Sequence, residues 1–112
     1  MTAYNSRKTI SEAVHSVLKQ SYKEFQLIIV DDASTDDTPE ILTSIHDSRI
    51  ILIRNETNLY IPDAANTGLE KIETPYMLRI DSDDICLPNR LKLQLEFMEK
   101  NPHLPIYCLR RN

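Results

Sequence analysis

Glycine is almost missing from this sequence: of 112 residues, only Gly68 is one. That excludes the glycine-rich loops with which P-loop and dinucleotide-binding proteins cradle phosphates. A nucleotide held here would need a metal and side chains around its phosphates. Cysteine is also scarce. Cys86 and Cys108 stand at no metal-ligand spacing and make no disulfide framework, so both read as reduced thiols of a cytosolic protein. Positive charge is not in excess either: 13 Lys and Arg face 17 Asp and Glu, a net charge of −4. The electrostatic footprint expected for nucleic acid or an anionic membrane surface is therefore lacking. No apolar run approaches the ~20 residues of a transmembrane helix, and no signal-peptide pattern opens the chain. What remains, 41% hydrophobic and 27% charged residues, is the composition of one ordinary globular domain.

Hydrophobic periodicity organises that composition into alternating elements. Met1-Thr-Ala-Tyr-Asn5 reads as the exit of a strand, without the strand itself. Asn5 or Ser6 then caps a helix over Lys8–Gln20, whose Ile10, Ala13, Val14, Val17 and Leu18 follow a helical stripe. Phe25–Val30 is a β-branched run of the kind found in buried parallel strands, and it ends in Asp31-Asp32. Ala33–Asp37 is turn chemistry; Thr38-Pro39 starts a helix with Thr38 as its cap. Ile50–Ile53 predicts a third strand. Pro62 opens a helical stretch that contains Gly68, at a cost of about 1 kcal/mol against Ala. A strand over Tyr76–Ile80 follows, then a long helix from Pro88 with Leu91, Leu95, Phe97 and Met98 on its buried side. Ile106–Cys108 could begin a further strand. Alternation with crossover-length connections predicts an α/β fold: a parallel sheet covered on both faces.

The most informative stretch is Tyr76-Met-Leu-Arg-Ile-Asp-Ser-Asp-Asp-Ile-Cys-Leu-Pro88. An apolar run empties into three carboxylates, Asp81, Asp83 and Asp84. In open α/β sheets ligands bind outside the carboxyl ends of the strands. Clustered acids there repel one another unless a cation or hydrogen-bond donors offset the charge. A hard divalent ion bridging carboxylate to phosphate meets that need, because Mg²⁺ uses one or two protein carboxylates plus substrate phosphates. The plainer reading is a polar turn that caps the next helix. With Asp31-Asp32 ending another strand, both acid groups are expected at one sheet edge, as a single acidic site.

Several segments together resemble the family 2, A-type nucleotide-sugar glycosyltransferases. They are Thr2-Ala-Tyr-Asn5, Ser16–Tyr22, Phe25–Asp36, Asn58, Asn66-Thr-Gly68, Ile80–Asp84 and Pro88-Asn-Arg-Leu91, in the family's order and spacing. The resemblance covers nearly the whole chain. It implies a three-layer, Rossmann-like parallel sheet, incomplete at both ends, with residues 1–112 forming one partial domain, the nucleotide-sugar-binding half. It further implies binding of a nucleoside-diphosphate sugar, a UDP-sugar foremost, and inverting transfer of a hexose to a glycan or lipid-linked acceptor. Asp81-x-Asp83 matches the family's DxD motif, with Asp83 the ligand of Mn²⁺ or Mg²⁺ and Asp81 near the metal or ribose. Asp32 matches the acid that accepts from the base, Tyr4 the aromatic that packs on it, and Thr2 the same nucleotide-facing loop. Asn66 falls in the sugar-diphosphate segment. The implied setting is cytoplasmic, with the full-length form at the inner face of the cell membrane.

Other residues have plainer expectations. Thr35 and Asp36 read as helix caps, as does Asp84. His15, His46 and His103 read as surface residues, and Arg90 either pairs with the acids or serves structure. Three departures from the family's pattern stand out. Met1 replaces the apolar strand before the Thr-x-Tyr-Asn loop, and Tyr60 stands where the family has glycine. No residue matches the downstream general base of an inverting transferase, so the catalytic base is expected outside this chain. Two rival readings follow: a truncated, non-catalytic remnant, and a receiver-type phosphoacceptor domain, suggested by Asp31-Asp32 and by Leu87-Pro88 after the acids.

Overall fold

The computed structural model of the chain describes residues 1–104. Cys108 and the candidate strand Ile106–Cys108 lie outside the described residues. The elements are β1 (Thr2–Ala3), α1 (Ile10–Leu18), β2 (Leu27–Asp31), α2 (Thr38–Ser44), β3 (Ile50–Arg54), α3 (Asp63–Leu69) and α4 (Arg90–Lys100). The three strands form one parallel sheet in the order β1-β2-β3, with Thr2 opposite Val30 and Leu27 opposite Ile50.

Strand alternation divides β2 between two helical layers. Leu27 and Ile29 join Ala3, the Ile10, Val14 and Val17 stripe of α1, and Leu42 of α2 in one buried cluster. Ile28 and Val30 face α3. A Cβ on Gly68 would lie 3.1 Å from Val30 Cγ2 and 3.7 Å from Ile28 Cγ2, so glycine here lets α3 approach the sheet closely. Its role is proximity, not a turn.

Two strand expectations change. β1 exists, although it is two residues long, and Met1 extends its ladder: Val30 N donates to the Met1 carbonyl (2.9 Å) and the Met1 ammonium to the Ile28 carbonyl (2.9 Å). The Tyr76–Ile80 strand does not form. A strand needs a ladder partner, and β1 offers too few backbone groups for five residues. Burial holds the segment instead, through Ile80, 4% exposed, and Leu78 against the core cluster.

The helices also shift. α1 starts at Ile10, two residues late, and its first amides are served by the Ser6 carbonyl rather than by an Asn5 or Ser6 side chain. α4 starts at Arg90, because Pro88 and Asn89 form a turn in which Arg90 N donates to the Leu87 carbonyl (3.0 Å). Met98 alone of the expected four is buried on α4; Leu91 and Leu95 are half-buried and Phe97 is exposed.

At the opposite edge of the sheet, Arg49 ties three elements together. It donates to both carboxylate oxygens of Asp47 (3.0 and 2.9 Å) and to the Leu18 carbonyl (3.1 Å), and its guanidinium lies 4.7 Å over the Phe25 ring. Side-chain and backbone hydrogen bonds from Arg49 hold the Asp47 carboxyl down at about 2. A carboxyl depressed in the folded state contributes stability that is full above its unfolded value and lost as pH falls through its folded one. Asp47→Asn should therefore be less stable than the wild type at pH 7, with the difference shrinking between pH 4 and pH 2. Urea unfolding across that range checks this; a constant difference would show that the pair does not carry the acid sensitivity.

Candidate functional site

The loops that leave β1, β2 and β3 emerge at one sheet edge and are tied together by side chains. Asn5, with φ 49°, turns its Oδ1 onto the second loop, accepting from Thr35 N (2.8 Å), Thr35 Oγ1 (3.3 Å) and Asp36 N (3.3 Å). Asn5 N donates to Ser34 Oγ (2.9 Å) and Ser6 N to Thr38 Oγ1 (2.8 Å). The N-cap position of α2 is Asp37 and makes no side-chain cap; Asp36, one residue earlier, accepts from Thr38 N (2.9 Å) and also from Arg7 N (3.2 Å). Thr38 is not the cap; it is the first helical residue, and its hydroxyl serves the β1 loop instead. Desolvation opposes ionisation of Asp36, but the Thr38 and Arg7 hydrogen bonds and the Arg7 charge outweigh it and hold the carboxyl below its usual range.

The acidic turn is anchored on both sides. Asp84 N donates to the Asp81 carbonyl (3.1 Å), closing the turn, and Ser82 Oγ meets Ser6 Oγ at 2.9 Å, joining it to the β1 loop. Downstream, Cys86 N donates to Ser16 Oγ (2.9 Å). Gln20, fully buried, donates to the Ser16 and Leu87 carbonyls (3.1 and 2.7 Å) and accepts from Leu91 N (3.1 Å). Buried amides keep their place only when so satisfied. Arg90 Nη1 reaches Cys86 Sγ at 3.4 Å.

Asp31 and Asp32 do not join the acidic turn in one site. Asp31 is buried; its Oδ1 accepts from Ser34 N (3.2 Å) and its Oδ2 lies 3.5 Å from Arg54 Nε. Asp32, also buried, holds the loop after β3. Its Oδ1 accepts from Asn55 Nδ2 (2.8 Å) and Leu59 N (2.9 Å), and its Oδ2 from Tyr60 N (2.9 Å).

Beside these loops lies an open cleft of about 690 Å³. It brings together Thr2, Tyr4, Asp81 and Asp83, four of the six residues the sequence singled out, with Asp36 and Ile61. Asp32 is not in its lining, and Asn66 lies exposed on α3, away from it. Three cations line it that sequence reasoning passed over: Arg7, Lys8 and Arg79. Arg7 and Lys8 follow directly on the Thr-x-Tyr-Asn loop, which was the signal available. Arg79 Nη2 stands 3.4 Å from Asp81 Oδ1, a half-exposed pair of little energetic weight. Both also act on the Met1 ammonium, whose pKa is lowered to about 6: burial lowers it most, the Arg79 charge adds to that and Asp81 opposes both.

Among the described residues no three His, Cys, Asp or Glu side chains gather into a metal cage. The cleft offers two carboxylates of the DxD pattern, Asp81 and Asp83. That donor set is too small to enclose an ion and suits one that completes its coordination on phosphate oxygens. His15, His46 and His103 are exposed, as expected.

The clamp that sets this turn is testable. Replacing Gln20 by Ala leaves the Leu91 amide and the Leu87 carbonyl without their partner and should destabilise the fold by about 3 kcal/mol. Chemical unfolding reads the loss, and amide exchange at Leu91 should accelerate with it; unchanged protection at Leu91 would show that Gln20 is not the clamp.

Comparison with known proteins agrees with this architecture. The model of glycosyl transferase family 2 matches residues 1–112. Two Escherichia coli proteins, the UDP-Glc:α-D-GlcNAc-diphosphoundecaprenol β-1,3-glucosyltransferases WfaP and WfgD, are 41% and 40% identical over 99 and 101 residues. These alignments cover 88% and 90% of this chain but 39% and 40% of those proteins. The crystal structure of S. aureus TarS 1-349 in complex with UDP superposes with a TM-score of 0.82 at 33% identity, over 89% of this chain and 31% of that one. The chain thus spans about two fifths of the length of these E. coli relatives. With the family model matched along all of its residues, this α/β chain belongs to glycosyl transferase family 2.

Proposed function

We propose that the chain is the donor-binding part of an inverting glycosyltransferase, taking a nucleoside-diphosphate sugar, a UDP-sugar foremost. The observation that carries this reading is the cleft itself, where Thr2 and Tyr4 meet Asp81 and Asp83. The ring of Tyr4, about half exposed, offers a stacking face to a nucleobase. Arg7, Lys8 and Arg79 supply positive charge for a diphosphate. Asp83 and Asp81 would hold Mn²⁺ or Mg²⁺. Such an ion, when bound, supplies charge that offsets the diphosphate as the bond to the sugar breaks. Asp32 has one acceptor position left: an ionised carboxylate has about four, and three are taken. That position, on Oδ2, suits a ring N–H of the base. Asn66 has no cleft contact to support a role in sugar binding, and the general base is assigned to no residue here.

The relatives support the substrate class. TarS was crystallised with UDP, and WfaP and WfgD are named for UDP-Glc and a diphosphoundecaprenol-linked acceptor. Transfer of a hexose to a glycan or lipid-linked acceptor, met at the cytoplasmic face of a membrane, belongs to the same proposal. Among the described residues no helix is long and apolar enough to cross a membrane. The receiver-domain alternative loses its ground, since the family match accounts for the same acids.

Unfolding titrations with UDP, with and without Mn²⁺, test the reading on wild type and Asp83→Ala. A ligand that binds only the folded state stabilises by about 2.7 kcal/mol at a hundredfold excess over Kd. Wild type should gain this in UDP with Mn²⁺, and Asp83→Ala, altered at an exposed residue, should fold and lose most of it. A wild type indifferent to UDP and Mn²⁺ would leave the remnant reading in place.

A further inference from the structure

The loop after β3 is built in a way that the donor site described above does not use. Leu59, Tyr60 and Ile61 are consecutive, large and apolar, and they are 40%, 72% and 62% exposed. Chains usually bury such residues, and a contiguous exposed apolar stretch marks a surface that meets something. Tyr60 is also held at φ 60°, the left-handed region that side chains other than glycine enter at a cost of order 1–3 kcal/mol. Burial of the side chain does not offset that cost, since Tyr60 is 72% exposed. The backbone is held instead: Tyr60 N donates to Asp32 Oδ2 and to Asn58 Oδ1, both at 2.9 Å, and its carbonyl accepts Ala64 N at 2.8 Å. The strained geometry is enforced and the side chain is left pointing free.

Position then restricts what that side chain can meet. Asp32 Oδ1 already accepts two hydrogen bonds, so a further donor must approach Oδ2, the oxygen that Tyr60 N occupies at 2.9 Å. Any ring that uses the last acceptor site of Asp32 therefore comes within a residue's reach of Tyr60. The next residue, Ile61, lines the cleft together with Tyr4. Asp32 N in turn donates to the Ala3 carbonyl at 2.8 Å, one residue before Tyr4, so the backbone of Asp32 adjoins the β1 loop while its carboxylate holds the backbone of Tyr60; Asp32 and Tyr60 adjoin the cleft without lining it.

We propose that Tyr60 is a specificity residue of the donor site, its ring packing on the nucleobase whose edge reaches Asp32, with Ile61 continuing the same wall into the cleft. This deepens the donor-binding reading and rests on it. The base is then held between aromatic side chains from two loops, Tyr4 and Tyr60, while the phosphates remain with the cations and acids.

Calorimetric titration of the full chain, in Mn²⁺, with UDP and separately with inorganic pyrophosphate, tests the assignment on wild type, Tyr60→Gly and Tyr60→Phe. Loss of one base–aromatic contact should weaken UDP binding by Tyr60→Gly about tenfold. Pyrophosphate binding should not change, and Tyr60→Phe should bind UDP like the wild type. Because glycine relieves the left-handed backbone, Tyr60→Gly should unfold at the same temperature as wild type or higher, which separates lost contact from lost fold. UDP affinity equal to wild type in Tyr60→Gly, or an equal loss for UDP and pyrophosphate, overturns the proposal and leaves the donor reading standing. A wild type that binds neither ligand overturns both.

Discussion

One buried carboxylate closes the functional edge of this sheet. Asp32 sits just past the end of β2 and gathers Asn55, Leu59 and Tyr60 from the loop after β3, while its own amide holds the β1 strand at Ala3. An ionised group taken from water is tolerated only when its acceptor sites are filled, and charge-assisted hydrogen bonds from backbone amides are the strong kind. The interaction works in both directions. The amides gain an acceptor that fixes the loop after β3, and the carboxylate gains the donors that let it stay buried. Neighbouring Asp31 holds the turn after β2 through Ser34 N on its Oδ1, while its Oδ2, which accepts no hydrogen bond, faces the Arg54 guanidinium at the end of β3 at 3.5 Å. The loops of three parallel strands are thereby fixed to the strand between them.

A second constraint follows from the near absence of glycine. Among the described residues Asn5, Ala33 and Tyr60 have positive φ, and none of them is a glycine. All three lie in loops at the same sheet edge, one after each strand. Each would relax to an ordinary conformation if it were free, so tertiary hydrogen bonds must hold it: Asn5 through its own side chain, Tyr60 through Asp32 and Asn58. Strain of this kind concentrates where a surface is shaped for binding. The chain's one glycine is used elsewhere, to bring α3 against Val30.

Much of this fold is legible in the sequence because it depends on local periodicity. The α1 stripe, the β2 run and the Thr38-Pro39 start each appear within a few residues of where they form. Tyr76–Ile80 shows the limit of such reading. Its apolar run carries the signature of a buried strand, and Ile80 is indeed buried, yet strand geometry requires a partner ladder that composition cannot reveal. Phe97 shows a second limit: helical spacing says which residues share a face, not whether that face is covered. In the candidate site, Thr2, Tyr4, Asp81 and Asp83 are visible as motifs, whereas the cleft cations Arg7, Lys8 and Arg79 belong to none. The residues that place the motifs are not visible either. Asn5 and Thr35, Ser6 and Ser82, Gln20 and Leu91 are separated by 30, 76 and 71 positions, and no local pattern encodes such pairs.

Those distant pairs explain why an exposed acidic turn can have a defined position without a strand beneath it. Ile80 enters the core on one side of the turn, and Cys86 enters it on the other. Between them Ser82 is tied to Ser6, and beyond them Ser16 and Gln20 of the α1 region fix Cys86, Leu87 and Leu91. The α1 region thus controls the acids from below while the β1 loop controls them from the side. Among the described residues, Asp81 and Asp83 are left exposed, and Asp81 has one weak ion pair, with Arg79. Asp31 and Asp32, by contrast, are buried and take part in such networks. Asp81 and Asp83 stand instead at the surface, where the cation of the proposed reading would meet them.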